Sequence, residues 1–380
     1  MYVNRNNMRN PFVTSGYKGS EYFCGRSTET DRLISLITNG NNVAVISPRR
    51  LGKTDLLKHC FEQEELKCNY HTFIVDIYST RSVAEMVDRL GKCILDSLKP
   101  KGKEAWEKFL QALRSIRTGI SYDAAGVPSW NLELGDIRNP SNTLEDIFTY
   151  IESADKPCII AIDEFQQITK YEDKNTEALL RTYVQNCRNA SFIFSGSHRT
   201  LMSEIFVSPY RPFYQSVSLM SIAPIPLEEY IEFCCNHFSK AGKDVDPDTI
   251  TELYIMFDGV TYYMQRMMNE MFAMTHPGER CGHECMMEAL ERIIENSSYV
   301  YEDLTYQLPE KQAIVLRAIA REDKVEMLQS GLFIRKHNLN SASSVMSAVK
   351  GLMEKGLVTN DRGTYYVYDY FLKLWIQRQK

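Results

Sequence analysis

At 380 residues the chain is longer than one hydrophobic core usually serves, so about two or three domains are expected. Its composition, 44% hydrophobic, 24% charged and 11% aromatic, is that of a folded globular protein and excludes a disordered or fibrous one. No apolar run approaches the ~18–20 residues of a membrane span and the start has no signal-peptide core, so a cytoplasmic protein without a membrane partner is expected.

The first 25 residues are polar, broken by Gly and Pro, and are expected to pack as a loop over residues 47–54. Leu33, Ile34, Leu36 and Ile37 give a helix from Glu29 to Ile37 its apolar stripe. The apolar run Val43–Ile46 reads as a strand, followed by a tight loop and a helix through about Glu65. A buried strand at Thr72–Ile77 and an amphipathic helix at Ser82–Leu98 come next. A long excursion from Pro100 to Pro140, with a helical piece at Glu104 to Ile116, looks like an insertion.

Alternation then resumes: helix Thr143–Ser153, strand Cys158–Glu164, helix Glu177–Asn186, strand Ser191–Ser197. Strands without internal polar residues, separated by helices, predict a parallel sheet covered on both faces. From about Pro226 the β signal disappears, and helical periodicity marks Leu227–Phe238, Asp248–Phe257, Tyr262–Thr275 and Cys285–Ser297. At the end, helices at Glu310–Ala320, within Lys324–His337 and at Ser341–Lys355 precede two short strands around the turn Asn360–Gly363. Three helices and a two-stranded wing make a winged helix-turn-helix. The predicted domains are therefore 1–225 as core, 226–307 as a helical lid and 308–380 as the winged helix.

Charge is uneven. The overall net is −5, which argues against wholesale coating of nucleic acid, yet residues 308–380 carry twelve Lys/Arg against seven Asp/Glu, a net of +5. The ten cysteines are scattered and are expected to stay reduced; Cys281 and Cys285 with His283 lack the paired spacing of a zinc site.

The segment Ser47-Pro48-Arg49-Arg50-Leu51-Gly52-Lys53-Thr54, between a strand and a helix opening at Asp55, reads as a phosphate-binding loop. Lys53 is placed to reach the β and γ phosphates of ATP, and the Thr54 hydroxyl to ligate Mg²⁺. Ser47 stands where the pattern has glycine. Arg49 and Arg50 either strengthen polyanion binding or simply cover the loop. Asp163 ends an apolar strand, as a second metal-side acid must, and Glu164 follows as a general-base candidate. Ser195 and Arg199, near the end of the following strand, are candidates for sensing the γ-phosphate, although a capped turn looks similar.

Phe23-Cys24-Gly25-Arg26, the phosphate loop, Ile162-Asp163-Glu164-Phe165 and Phe194-Ser195-Gly196-Ser197 together resemble the archaeal-type ATPase family, in the STAND branch of the AAA+ ATPases. So do Asp258-Gly259-Val260-Thr261-Tyr262-Tyr263 and the terminal Asp369-Tyr370-Phe371-Leu372-Lys373-Leu374-Trp375. The resemblance implies an AAA+-like P-loop NTPase core, a helical lid, a winged helix, slow hydrolysis and domain arrangement set by the nucleotide. It matches Lys53 and Thr54 to Walker A, Asp163 and Glu164 to Walker B, and Arg26 to a Gly-Arg motif near the base or sugar. Gly259 and Thr261 fall in the lid segment facing the nucleotide, with Thr261 where relatives often carry proline. A homo-oligomer completed by a neighbour's arginine is a further implication, with Arg211 one option. Three functions are left open: an ATP-driven switch, an ATP-regulated DNA-binding protein, and a nucleotide-binding scaffold without hydrolysis.

Overall fold

The computed structural model of the chain describes residues 9–98, 120–122, 128–130 and 139–379. They form two units: one comprises Ser15–Tyr230 with Val260–Tyr262, the other the residues up to Thr14, Ile231–Gly259 and those from Tyr263 onward.

The first unit is built on strands β1 (Val43–Ile46), β2 (His71–Asp76), β5 (Cys158–Asp163), β6 (Ala190–Gly196) and β7 (Ser218–Ser221). Their order is β2-β5-β6-β1-β7, and every pairing is parallel. Side-chain alternation sends successive residues to opposite faces. Ala44, Ile160, Ile162, Phe192 and Phe194 enter one core, under the helices Val83–Ser97, Pro140–Glu152, Thr176–Asn186 and Arg199–Val207. Val43, Val45, Ile159, Ala161 and Ile193 enter the other, under Ser27–Thr38 and Lys53–Glu62. The parallel sheet covered on both faces is thus present, with one strand more than the sequence indicated. β7 was not anticipated because it spans four residues at the sheet edge and buries only Met220.

The helix expected to run to Glu65 breaks at Gln63, whose extended backbone separates Lys53–Glu62 from Glu64–Asn69. Of the excursion, the structure describes a short antiparallel strand pair, β3 (Ile120–Tyr122) with β4 (Pro128–Trp130); the predicted helix at 104–116 lies outside the described residues.

The second unit contains the helices from Ile231 to Tyr306, a short parallel pair β8 (Asp244–Val245) with β9 (Arg280–Cys281), and the C-terminal winged helix. The N-terminal segment does not act wholly as a loop over the phosphate site: up to Thr14 it belongs here, because Phe12 is fully buried among the rings of Phe233, Phe238 and Phe272. The Asn10 side chain donates to the Asn269 carbonyl at 2.8 Å, and the Asn269 side chain donates to the Phe12 carbonyl at 2.7 Å. The winged helix consists of Glu310–Glu322, Gly331–Lys336, Ala342–Glu354, the hairpin β10 (Val358–Asp361) and β11 (Thr364–Val367), and a terminal helix Tyr370–Arg378. The Ser341 hydroxyl accepts from the Ser344 amide, as an N-cap should. At the wing tip Arg362 and Gly363 are both left-handed, and the Asn360 side chain accepts from the Gly363 amide at 2.8 Å.

Not all cysteines are free thiols, contrary to expectation. Cys281, at the end of β9, and Cys285, in the first turn of the helix His283–Tyr306, form a disulfide; that turn brings their Cα atoms to 5.5 Å. Among the described residues no group of three or more His, Cys, Asp or Glu is arranged to hold a metal.

Candidate nucleotide site

The phosphate loop joins β1 to the helix Lys53–Glu62 at the carboxyl edge of the sheet, where open parallel sheets collect ligands. Its sharp turn uses two left-handed residues, Arg50 (φ 68°) and Gly52 (φ 86°). Ser47 is not among the positive-φ residues, which is why serine serves where the pattern has glycine. Ser47 is buried, and its amide donates to the Gly196 carbonyl of the neighbouring strand at 3.4 Å. Pro48 and Arg49 are exposed, and Leu51 is buried.

Lys53 is only 6% exposed, and its ammonium donates to the carbonyls of Ser47 (3.0 Å) and Pro48 (3.2 Å). Burial lowers its pKa, the carboxylates of Glu164 and Asp163 push it back up, and the charge of Arg49 lowers it further. Thr54 is next in the chain, and its hydroxyl donates to Asp163 Oδ2 at 2.6 Å. β1 and β5 are not adjacent in the sheet, so only the long-range order β5-β6-β1 brings this hydroxyl and this carboxylate together. Such an all-oxygen pair suits a hard cation that takes its remaining ligands from phosphate and water. Asp55, in the first helical turn, has its carboxyl pKa raised by burial.

Glu164 has left-handed backbone (φ 56°), which turns the chain sharply at the end of β5, and its amide donates to Asp163 Oδ1 at 3.0 Å. Its carboxylate accepts hydrogen bonds from the Gln166 amide and, at 2.8 Å, from the Ser197 hydroxyl. Gln166 and Ser197 were not singled out from the sequence. Ser195 lies inside β6, fully buried, its hydroxyl without a partner among the described residues. Ser197 is the first residue beyond the strand. The rule that ligands sit just outside strand ends was the signal that could have found it. Arg199 is exposed at the start of the following helix.

Arg26 caps the helix Ser27–Thr38 in left-handed conformation (φ 64°). Its guanidinium is buried, donating to Glu29 and to the Leu51 carbonyl, both at 2.9 Å, so it braces the phosphate loop from behind. The Arg50 carbonyl accepts from the Tyr262 amide at 3.1 Å, and its guanidinium lies 4.9 Å from the centre of the Tyr262 ring. Thr261 therefore sits one residue from a loop contact. Gly259 belongs to the second unit, where a Cβ would collide with the Tyr254 ring. Arg211 is tied to Glu177 and, at 3.4 Å, to Glu204 of its own chain.

The sequence model of an ATPase domain predominantly from Archaea matches residues 23–267, which take in every element of this site. The chain belongs to this ATPase family. A winged helix domain model matches residues 299–378. No curated protein matches the chain by sequence. Among solved structures, the Walker-type ATPase PABY2304 of Pyrococcus abyssi is similar over 97% of this chain and 99% of its own, with TM-score 0.65 and 18% identity. The ORC2 protein of Aeropyrum pernix, solved as ADPNP–ADP complexes, has TM-score 0.58 and 14% identity over 97% and 98% of the two chains. ORC1 of the same organism, solved with DNA, has TM-score 0.55 and 11% identity over 98% and 97%. At such identities the likeness establishes a shared fold: P-loop ATPase core and winged helix in one chain. No described helix is long and apolar enough to cross a membrane.

Proposed function

We propose that this ATPase-family protein binds MgATP at the loop Ser47–Thr54, hydrolyses it slowly, and uses the nucleotide state to reposition its winged helix domain. The observation that carries the reading is the 2.6 Å pairing of Thr54 with Asp163, with Glu164 next in the chain and anchored on Ser197. The helix N-terminus at Lys53 favours the negative phosphates, and the Lys53 ammonium exchanges two loop carbonyls for phosphate oxygens. Thr54 and Asp163 would hold Mg²⁺, which when bound neutralises charge on the β and γ oxygens. Glu164 orients the attacking water and accepts its proton. Arg26 keeps the loop in shape through the Leu51 carbonyl.

Single-turnover hydrolysis and calorimetry on Glu164→Gln test this. The variant is expected to bind MgATP as the parent does while hydrolysing it at least about 100-fold more slowly, the usual worth of a general base. A parent chain that binds no MgATP, or a variant as fast as the parent, overturns the reading.

The winged helix supports a second reading, ATP-regulated DNA binding. Its net charge of +5 favours polyanions, but Lys324, Lys336, Lys373 and Arg378 are engaged by acidic groups of their own unit. Ser343, Ser347, Lys350, Met353 and Glu354 are the exposed residues of the helix Ala342–Glu354, a weak set for reading base edges. Phosphate contacts would make affinity for duplex DNA fall steeply with salt; a protein-contact module would give no such slope.

A further inference from the structure

The phosphate loop carries two arginines, and the structure gives them different work. Arg50 is held by the loop's own architecture, with left-handed backbone, its carbonyl bonded to Tyr262 and its guanidinium against the Tyr262 ring. Arg49 is exposed, and its Nε donates to the Ser197 hydroxyl at 3.3 Å. That hydroxyl in turn donates to Glu164 Oε2 at 2.8 Å. One hydroxyl therefore separates the Arg49 guanidinium from the carboxylate proposed to activate water. On its other side the guanidinium lies 5.6 Å from the centre of the Tyr78 ring, near the outer limit of a cation–π contact and a weak restraint. The charge of Arg49 also helps to lower the pKa of the Lys53 ammonium. Arg211, the arginine that the sequence offered for action on a neighbour's phosphate, is already bound by Glu177 and Glu204.

We infer that Arg49 acts in cis as a transition-state arginine of this chain's own ATPase site, placing its guanidinium on the γ-phosphate oxygens. The inference rests on the ATPase reading above. In the step, the water oxygen bonds to Pγ as the bond from Pγ to the β,γ-bridging oxygen breaks. Glu164 takes a proton from the water, and the bonding pair leaves on the β-phosphate of ADP, giving ADP and phosphate. Arg49 forms no covalent bond; it neutralises charge on the transferring group while its contact with Ser197 keeps it in register with Glu164. A charge that strengthens its contact only as the γ-phosphate separates lowers the barrier without tightening the ground state.

The test uses the full chain and the variants Arg49→Ala and Arg49→Lys. Relative to the parent, Arg49→Ala is expected to lower kcat at least about 100-fold, a tenth of the roughly 1,000-fold that is the least such arginines contribute, with KM changed less than about threefold. Affinity for ADP with aluminium fluoride, a mimic of the transferring phosphoryl, should fall by a similar factor while affinity for ADP alone stays put. Arg49→Lys should recover part of the rate, since a point charge replaces some of the guanidinium's work. Mixing Arg49→Ala with Glu164→Gln chains should restore nothing, because each site needs both residues from one chain. Parental kcat in Arg49→Ala, or hydrolysis rescued by that mixture, overturns the inference and leaves the ATPase reading intact. A parent that binds ATP without ever hydrolysing it sinks both.

Discussion

Lys53→Ala separates a working phosphate loop from a look-alike. The ammonium donates to two loop carbonyls, at 3.0 and 3.2 Å, in a site where burial already disfavours its charge. Removing it should therefore alter the fold little. With nucleotide bound, the same donors would meet anionic phosphate oxygens, and hydrogen bonds to charged groups contribute about 1.5–3 kcal/mol each. Two such bonds amount to about 3 kcal/mol at the low end, which is a weakening of at least about 100-fold in Kd. The thermal consequence is measurable. ATP at 100 times the parent Kd stabilises the parent by about 2.7 kcal/mol, whereas the same ATP stabilises the variant by only about 0.4 kcal/mol. Calorimetric titration and thermal unfolding with and without MgATP read both quantities. A variant whose Kd stays within about threefold of the parent refutes the reasoning.

Other outcomes come from the packing and the charges. Phe165 is fully buried against Phe194, Phe206 and Phe213, with 4.5 Å between its centroid and that of Phe194, so Phe165→Ala should cost about 3–5 kcal/mol in urea unfolding; a loss under about 1 kcal/mol contradicts this core. Burial raises the pKa of Asp258, but bonds from Lys324 and Tyr370 and the charge of Lys324 prevail and leave it lowered. A depressed carboxylate contributes stability at neutral pH that disappears as pH falls through its folded pKa. Because the pair is about half exposed, Asp258→Asn should lose only about 0.5–1 kcal/mol at pH 7 and nothing once the carboxyl is protonated in both states. A gap that persists unchanged in acid would show that the charge is not what matters. Thiol titration of the denatured, unreduced chain should find eight reactive cysteines, rising to ten after reduction; ten from the start would exclude the bridge between Cys281 and Cys285.

Much of this architecture is legible in the sequence, for a physical reason. Strands buried on both faces must be apolar throughout, so Val43–Ile46, Cys158–Asp163 and the middle of Ala190–Gly196 announce themselves. The loop motif, strand before and helix after, needs only local spacing. What stayed hidden depends on partners distant in the chain. β7 is too short and too exposed to stand out. The left-handed backbone of Arg26, Arg50 and Glu164 leaves no trace when the residue is not glycine. Ser195 and Ser197 are alike on paper, and only the point where β6 ends decides which one meets Glu164. Phe12 gave no sign that it would anchor the N-terminal segment in another unit, because its neighbours Phe238 and Phe272 lie over two hundred positions later.

The order β2-β5-β6-β1-β7 also dictates a timetable. β1 is made early, yet Val43 must wait for Ile193 on one side and Ser218 on the other. A ribosome-tethered chain that stops short of Ser221 carries the whole phosphate loop but cannot clamp the strand that aims it. Such late closure leaves a wholly apolar segment without its strand partners while about 175 further residues are made, which makes this stretch a natural client for chaperones. Capture of nucleotide by nascent chains of increasing length would therefore switch on abruptly near that point, and would report completion of the sheet.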